Sequence, residues 1–523
     1  MSFPAATTAQ TVTHTATGAD STAVAQSVVQ SVDWLAIAPP TIAAVVALAV
    51  LVADLFVADA RKALLGWVSV AGLAASLVML LPLLDGDRST FCLTGEPGVC
   101  SYTADRFTLV IQFLVLGGAL LAALLSVTAL KDARKRLPEG EFWFLLLSSA
   151  AGAALLPASR DLATLIVALE VASLPAFALV GLRHGDRRSS EAALKFFLSS
   201  VTATAVSLMG VSFVYAATGT LHLTRIAERI QDVDGQLHTL AQTGVVLTLV
   251  GFAFKTAAVP FHFWVPDTYV GAPLPVAAYL SVVGKAVGFT GLILVTVIAL
   301  PSYADVWGPA LAALAALTMT VGNVGALRQQ GTRAYSAVRL LAWSSVGQAG
   351  YLLVPIAAAA YSDDAEQSIG STVAYALMYA AVNLGAFAVA ALVGRTRTLN
   401  RITDYRGLYA TNPLTALLLA FFLLCLAGLP PGIIGLFAKV AVFSAAVDAG
   451  LGWLAVVMAV NVVIALFYYL QWTALLFRAP EGEPAKHLVP APLTAAIALT
   501  AVLGIGLSGA PQLVLRFADT GLF

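Results

Sequence analysis

At 523 residues the chain is long enough for several soluble domains of about 150 residues each, but its composition excludes that organisation. Hydrophobic residues make up 59% and charged residues 11%, against about 45–50% and about 25% in soluble domains, so the chain is a polytopic membrane protein. Basic and acidic residues balance at 28 each, which gives no reason to expect nucleic acid. Three cysteines are too few for an iron–sulfur cluster, a four-cysteine zinc site or a disulfide scaffold.

Residues 1–33 are rich in Thr, Ala, Ser, Gln and Val and carry charge only at Asp20 and Asp33. They lack the basic stretch, apolar core and cleavage site of a secretory signal and read as a disordered polar tail. From Trp34 onward apolar runs of about 20 residues recur, each long enough to cross about 30 Å of hydrocarbon. They lie at roughly 35–57, 63–84, 107–130, 142–157, 162–182, 192–217, 241–265, 274–300, 308–327, 334–359, 370–394, 412–447, 451–477 and 491–515. The expected fold is an all-α polytopic membrane protein with about 14 transmembrane helices. The fourth run is short. The twelfth is too long for one straight span and carries Pro430 and Pro431 in its middle, so a broken helix is expected there.

Alternate connecting segments differ in charge. One set holds Arg61, Lys62, Lys131, Arg134, Lys135, Arg136, Arg183, Arg187, Arg188, Arg328, Arg333, Arg395, Arg397, Arg401, Arg406, Arg478 and Lys486. The other holds only Arg88, Arg106, Arg160, Arg225, Arg229 and Arg516. Short loops rich in Lys and Arg stay cytoplasmic, which places the first set inside and both termini outside. Cys92 and Cys100 then lie on the oxidising side in one loop, where a disulfide would be structural. The sequence leaves that bond open. Cys425, inside a span, reads as inert packing.

Some charges fall inside the spans. Glu170 lies mid-way along the fifth, and Lys255, Lys285 and Lys439 lie at depth in the seventh, eighth and twelfth. Each costs about 2.5–3.5 kcal/mol at a helix centre, so the four together cost on the order of 10 kcal/mol unless paired or hydrated. Three lysines against one glutamate leave too much positive charge for pairing alone, and a hydrated interior accounts for it better. A lysine holds its proton less tightly when water is withdrawn and more tightly when a carboxylate approaches, so a lysine with a movable carboxylate partner can relay protons. Arginine, with a pKa above about 12, cannot.

The surroundings of Lys255 and Lys439 are alike. Each has Gly four residues before and Ala two after, as Gly251 with Ala257 and Gly435 with Ala441. Prolines interrupt both helices, Pro260 and Pro266 after the first lysine and Pro430 and Pro431 before the second. Matched broken helices in two halves point to internal repeats with a site near the bilayer midplane, here spans 4–8 and 9–13. Lys195 either snorkels to the cytoplasmic surface or joins the relay. His262 is a loop hydrogen-bonder whose pKa range also suits proton exchange. Asp54 is expected to pair with Arg61 or interfacial water, and Arg339 to anchor the tenth span. No Gly-rich phosphate loop, nucleophilic triad, paired-His metal site or dinucleotide-binding turn occurs.

The run from Gly251 through Phe254-Lys255-Thr256, Pro260-Phe261-His262-Phe263-Trp264-Val265-Pro266-Asp267 and Tyr269-Val270-Gly271-Ala272-Pro273-Leu274-Pro275 closely resembles the seventh-helix motif of the subunit N family. These are the antiporter-like membrane subunits of the bacterial proton-pumping NADH–quinone oxidoreductase, respiratory complex I. The stretch to Lys285 resembles the family's eighth helix. Leu169-Glu170 with Ser173-Leu174-Pro175 resembles the fifth, Glu191 to Ser199 around Lys195 the sixth, and Leu426 to Pro430 with Gly435 and Lys439 the twelfth. The likeness covers roughly residues 140–450. One departure is Gln348, where the family commonly has His.

The resemblance implies an external tail (1–33), helices 1–3 (34–131), helices 4–8 as a first antiporter-like repeat (142–300), helices 9–13 as a second, inverted repeat (308–478) and helix 14 (489–516). It implies that Glu170 and Lys255 form an input pair, Lys285 the central relay and Lys439 the link to the exit, with Lys195 and His262 as further candidates. It further implies no cofactor in this chain, with flavin and iron–sulfur clusters in partner subunits. The expected neighbours are the antiporter-like subunit M and the small membrane subunits J and K, in a bacterial cell membrane. Two other readings stay open at this point: a cation–proton antiporter subunit, and a passive membrane scaffold with structural lysines.

Overall fold

A computed structural model describes residues 32–93, 95–132, 137–480, 488–518 and 522–523. Most of the expected tail, with Arg134, Lys135, Arg136 and Lys486, lies outside the described residues. In a chain this apolar the backbone must bond to itself, and helices satisfy every interior amide locally. Among the described residues, twelve helical stretches are long and apolar enough to cross a membrane, and Ala38–Asp54 and Pro413–Ala427 are shorter apolar helices.

In chain order the helices are α1 (Ala38–Asp54), α2 (Ala63–Val78), α3 (Arg106–Asp132), α4 (Glu139–Leu155), α5 (Leu162–Gly181) and α6 (Arg187–Thr218). A short α7 (Leu223–Arg229) precedes α8 (Gly235–Thr256), α9 (Trp264–Gly271), α10 (Leu274–Tyr279) and α11 (Lys285–Ile293). Then come α12 (Ala304–Leu327), α13 (Ser336–Ala358), α14 (Ala365–Thr396), the single turn α15 (Leu408–Thr411), α16 (Pro413–Ala427), α17 (Ile433–Asp448), α18 (Gly452–Leu476), α19 (Ala491–Gly509) and α20 (Gln512–Leu515). The segment Leu274–Ala299 with α13 and α14 forms the enclosed centre, while α6 and α19 leave most of their length on the outside. Leu194, Leu198, Val201 and Leu208 of α6 are exposed, as suits a face turned to lipid.

The structure changes several expectations. The fold is not purely helical: Arg88–Leu93 (β1) and Glu96–Ala104 (β2) pair antiparallel in the loop after α2. Thr90, Val99, Tyr102 and Thr103 favour extended backbone there, and a Cys92–Cys100 disulfide ties the two strands. The seventh run does not continue to 265. Its helix stops at Thr256, because Ala257 turns left-handed, and resumes at Trp264. The eighth run is α-helical only in part, since Leu280–Gly284 and Leu294–Ala299 are π-helical. Asp54 pairs with Lys62, at 3.2 Å, rather than with Arg61; the lysine faces it across the turn that follows α1. The twelfth run is broken as expected, into α16 and α17.

Loop contacts sort into two ends. At one, Arg395 pairs with Asp132 at 2.6 Å, and Arg406 donates to the Ala479 carbonyl. At the other, Arg88 pairs with Asp33 at 2.8 Å and holds that carboxyl below its usual range. Arg225 pairs there with Glu96, Arg160 with Asp105, and the Leu522 amide donates to Glu366. Asp33 and Leu522, each next to an end of the described residues, therefore share an end with the β-hairpin.

Cys425 is buried and free. Maleimide should label no cysteine in the native chain, one after denaturation without reductant, and all three after reduction. Intact-protein mass spectrometry reads this directly, and more than one label before reduction would reject the hairpin disulfide.

Candidate functional site: an axis of buried lysines

Two broken helices organise the interior. α8 ends in a left-handed residue, Ala257 (φ 67°), and the Ala258 amide reaches back to the Ala253 carbonyl at 2.9 Å. α16 ends in Gly428 (φ 87°), and the Leu429 amide reaches the Leu424 carbonyl at 2.9 Å. Both are left-handed C-caps that leave some terminal carbonyls without helical donors. At the first break the Trp264 indole donates to the Phe254 carbonyl. At the second the Lys439 ammonium donates to the carbonyls of Leu426, at 2.9 Å, and Ala427, at 2.7 Å. A cation on a helix C-terminus also meets the negative end of its dipole.

Lys255, Lys285 and Lys439 are all buried, 4%, 2% and 6% exposed. The Lys255 ammonium lies 4.7 Å from the Phe177 ring centre, 5.1 Å from Phe196 and 5.7 Å from Phe254, an aromatic enclosure that favours a cation. It borders a cavity of about 20 Å³ with Ser149, Ser173, Tyr279 and Gly284, room for about one water. Lys285 starts α11, directly after the π segment, and its Nζ has no hydrogen-bond partner among the described residues. Gly288, one turn on, carries α11 against the end of α8: a Cβ there would lie 2.4 Å from the Thr256 amide nitrogen. Close backbone approach of this kind is how helices pack in lipid.

Glu170, on α5, is half-buried and accepts from the Thr204 hydroxyl at 2.7 Å. No ion pair joins it to Lys255 among the described residues. Lys195 is exposed and pairs with Glu191 at 2.8 Å and Asp267 at 2.9 Å, so its ammonium is at the surface. Arg339 reaches the same Asp267 at 3.6 Å. His262, in the break after α8, packs on Trp343 with ring centres 5.5 Å apart.

The structure thus brings Lys255, Lys285 and Lys439 into the enclosed centre and sets Lys195 outside it. Beside Lys439 a second cavity of about 20 Å³ is lined by Gln348, Tyr375, Tyr379 and Leu426 among others. Among the described residues no group of His, Cys, Asp and Glu could hold a metal.

Residues 159–465 match the family model described as NADH:quinone oxidoreductase/Mrp antiporter, TM. Over 99% of both chains the protein is 74% identical to NADH-quinone oxidoreductase subunit N 2 of Streptomyces griseus, and over 86% of both it is 45% identical to subunit N of Salinispora tropica. The chain belongs to the subunit N family of NADH–quinone oxidoreductases. A chain of respiratory complex I from Thermus thermophilus has the same architecture, with TM-score 0.74 and 31% identity over 92% of this chain and 100% of that one. A chain of the Mrp complex from Dietzia, at 21% identity and TM-score 0.79, shares the fold.

Within this subunit N relative, two groups of site residues went unnoticed in the sequence. Asp267 bridges Lys195 and Arg339, yet it stood in the quoted Pro-Asp motif as one acid among loop residues. Tyr375, Tyr379, Ser281 and Asn383 are buried polar groups that hydrogen-bond across helices. Tyr, Ser and Asn inside apolar runs were the available signal, diluted by similar residues that only bond their own helix.

The two caps yield substitutions of opposite sign. Gly428→Ala puts a Cβ on a left-handed residue, where it would lie 3.1 Å from Lys439 Cδ, and should destabilise by about 1–2 kcal/mol. Ala257→Gly relieves the same strain and should be neutral or slightly stabilising. Thermal unfolding in detergent, followed by fluorescence size exclusion, checks both, and equal losses would reject the shared cap.

Proposed function

We propose that this chain is the proton-translocating membrane subunit of a respiratory NADH–quinone oxidoreductase, moving protons along Lys255, Lys285 and Lys439 with Glu170 as the carboxylate at the input. The observation that carries it is that three ammonium groups lie buried in one enclosed interior, two of them beside water-sized cavities whose mostly apolar walls include Ser149, Ser173 and Tyr279 at one and Gln348, Tyr375 and Tyr379 at the other. A charge held only for structure is expected to be paired. Among the described residues Lys285 has no hydrogen-bond partner, Lys255 meets aromatic faces without an ion pair, and Lys439 rests on two carbonyls. Such groups suit a cycle in which lysines lose and regain protons as water or a carboxylate comes and goes.

Glu170 acts on Lys255 through space. Bonded to Thr204 and apart from the ammonium, it stands as the open state of the input pair, and side-chain rotation would close it. Lys195 and His262 serve the cytoplasmic mouth: Lys195 with Glu191 and Asp267 as surface charges, and His262 as a polar group in the break. The chain crosses the membrane fourteen times, α16 and α17 together making one crossing and α1 another, in two inverted repeats of five. The end bearing Lys62, Arg183 and Arg395 is cytoplasmic, and both termini face outward from the bacterial cell membrane. Redox chemistry, with its flavin and iron–sulfur clusters, belongs to partner subunits, and subunits M, J and K are the neighbours within the membrane.

Reporter fusions at residues 185 and 230 should label as cytoplasmic and external respectively. Opposite labelling at either site rejects the topology. In the assembled complex, Lys255→Ala and Glu170→Ala should lower the number of protons moved per electron. Lys439→Arg should be nearly as damaging as Lys439→Ala, because a relay needs a group that releases its proton, while a structural charge needs only its sign. Parental pumping by Lys439→Arg would make that lysine structural.

A further inference from the structure

Between Lys285 and Lys439 lies a buried set of hydroxyls and amides whose donor directions can be worked out, because several partners are backbone carbonyls, which only accept. Ser281, one turn before Lys285, donates its hydroxyl to the Ala278 carbonyl at 2.7 Å and accepts from Asn383 at 2.7 Å. The Tyr379 hydroxyl donates to the Ser281 carbonyl at 3.1 Å. A phenol has one proton, so the 2.9 Å contact between Tyr379 and Ser345 is donated by Ser345.

On the Lys439 side the Leu426 carbonyl orients Gln348. Only the amide nitrogen can donate to it, at 3.5 Å, and the same nitrogen reaches the Tyr469 hydroxyl at 3.4 Å. The amide oxygen therefore faces Tyr375, whose hydroxyl donates to it. Tyr375 and Tyr379 thus both commit their protons elsewhere, one to Gln348 and one to the Ser281 carbonyl. All that either can offer a donor in the cavity they line with Lys439 is an oxygen lone pair.

We infer that Gln348 is a positioning residue for Lys439: by holding Tyr375 as an acceptor it completes, with Tyr379, a second seat for the Lys439 ammonium. The first seat is the pair of carbonyls that end α16. The second lies across a cavity of about 20 Å³, which holds a group the size of a water molecule or an ammonium. One wall of that cavity is the α16 end, through Cys425 and Leu426, and another is Tyr379, which touches the turn that precedes Lys285. Movement of the ammonium between seats carries it toward and away from the Lys285 side. Gln348 links the seats, because its nitrogen shares the Leu426 carbonyl with Lys439 while its oxygen holds Tyr375. This inference rests on the lysine relay proposed above.

The experiment uses the assembled oxidoreductase in inverted membrane vesicles, with the initial rate of NADH-driven proton uptake and the protons moved per electron as readouts. Gln348→Leu keeps much of the volume but neither accepts nor donates. Gln348→His restores both functions, since a neutral imidazole has one acceptor and one donor nitrogen. Loss of one buried hydrogen bond should slow coupled proton transfer by about tenfold in Gln348→Leu, with Gln348→His within about twofold of the parent. Tyr375→Phe should match the Leu variant, and the double variant should be no worse than either single, as residues acting through one seat are not additive. Tyr375→Phe removes one oxygen and keeps the ring, so it carries the test if Gln348→Leu does not assemble. Parental pumping by Tyr375→Phe, failure of the His variant, or losses that multiply in the double would overturn the positioning role. Lys439→Ala is measured alongside. Full pumping there sinks the relay itself, whereas loss there with normal pumping in Tyr375→Phe sinks only the second seat.

Discussion

The carbonyls freed where a helix breaks inside a membrane must find donors, and the Lys439 ammonium supplies them at the end of α16. The bond serves two ends at once. It satisfies backbone that neither lipid nor a continuing helix could satisfy, and it holds a cation where an unpaired charge would be costly. Neither partner is stable there alone. Left-handed Gly428 turns the chain out of α16, Pro430 and Pro431 keep the next residues from rejoining it, and α17 then brings Lys439 back beside the carbonyls it caps. Much of the second half is arranged around that return.

The first half solves the same problem in reverse order. Its lysine precedes the left-handed cap, so Lys255 projects from the last turn of the intact helix, and a neutral donor, the Trp264 indole, helps to satisfy the freed carbonyls. Lys255 is left to aromatic faces. A cation held by ring quadrupoles is held less directionally than one on two carbonyls, so the two lysines start from unequal grips. Lys285 stands between them at the end of a π turn, with Gly288 pressing its helix onto the Lys255 end. π turns shift helix register by one residue and recur at functional sites.

The sequence made the coarse architecture legible because long apolar runs and stray lysines are conspicuous. Both helix breaks were readable from proline, but where the first begins was not: Ala257, an unlikely left-handed residue by propensity, ends α8 ahead of the prolines. The hairpin went unread because two short polar strands in a loop carry little periodicity. Asp54 and Lys62 show the limit in the other direction, since one residue along a turn decided which cation faced the carboxylate. The hydroxyl groups between Lys285 and Lys439 were least legible. A Ser or Tyr in an apolar run usually bonds its own preceding turn, as Thr256 does with Phe252, and only three-dimensional packing separates those from Tyr379 or Asn383.

Gln348 follows from the same logic. Its residue type cannot carry a proton at neutral pH, which at the level of sequence counts against a relay through α13. Donor direction removes the conflict. What the geometry around this position asks for is one acceptor toward Tyr375 and one donor toward the Leu426 carbonyl. An amide provides both, and so does a neutral imidazole. A His at this position would meet the same requirement in another way, and the proton need never reside on either side chain. In the proposed relay, transfer falls instead to the group that can both hold and release it, the Lys439 ammonium, whose flexible four-carbon stem borders the cavity of about 20 Å³.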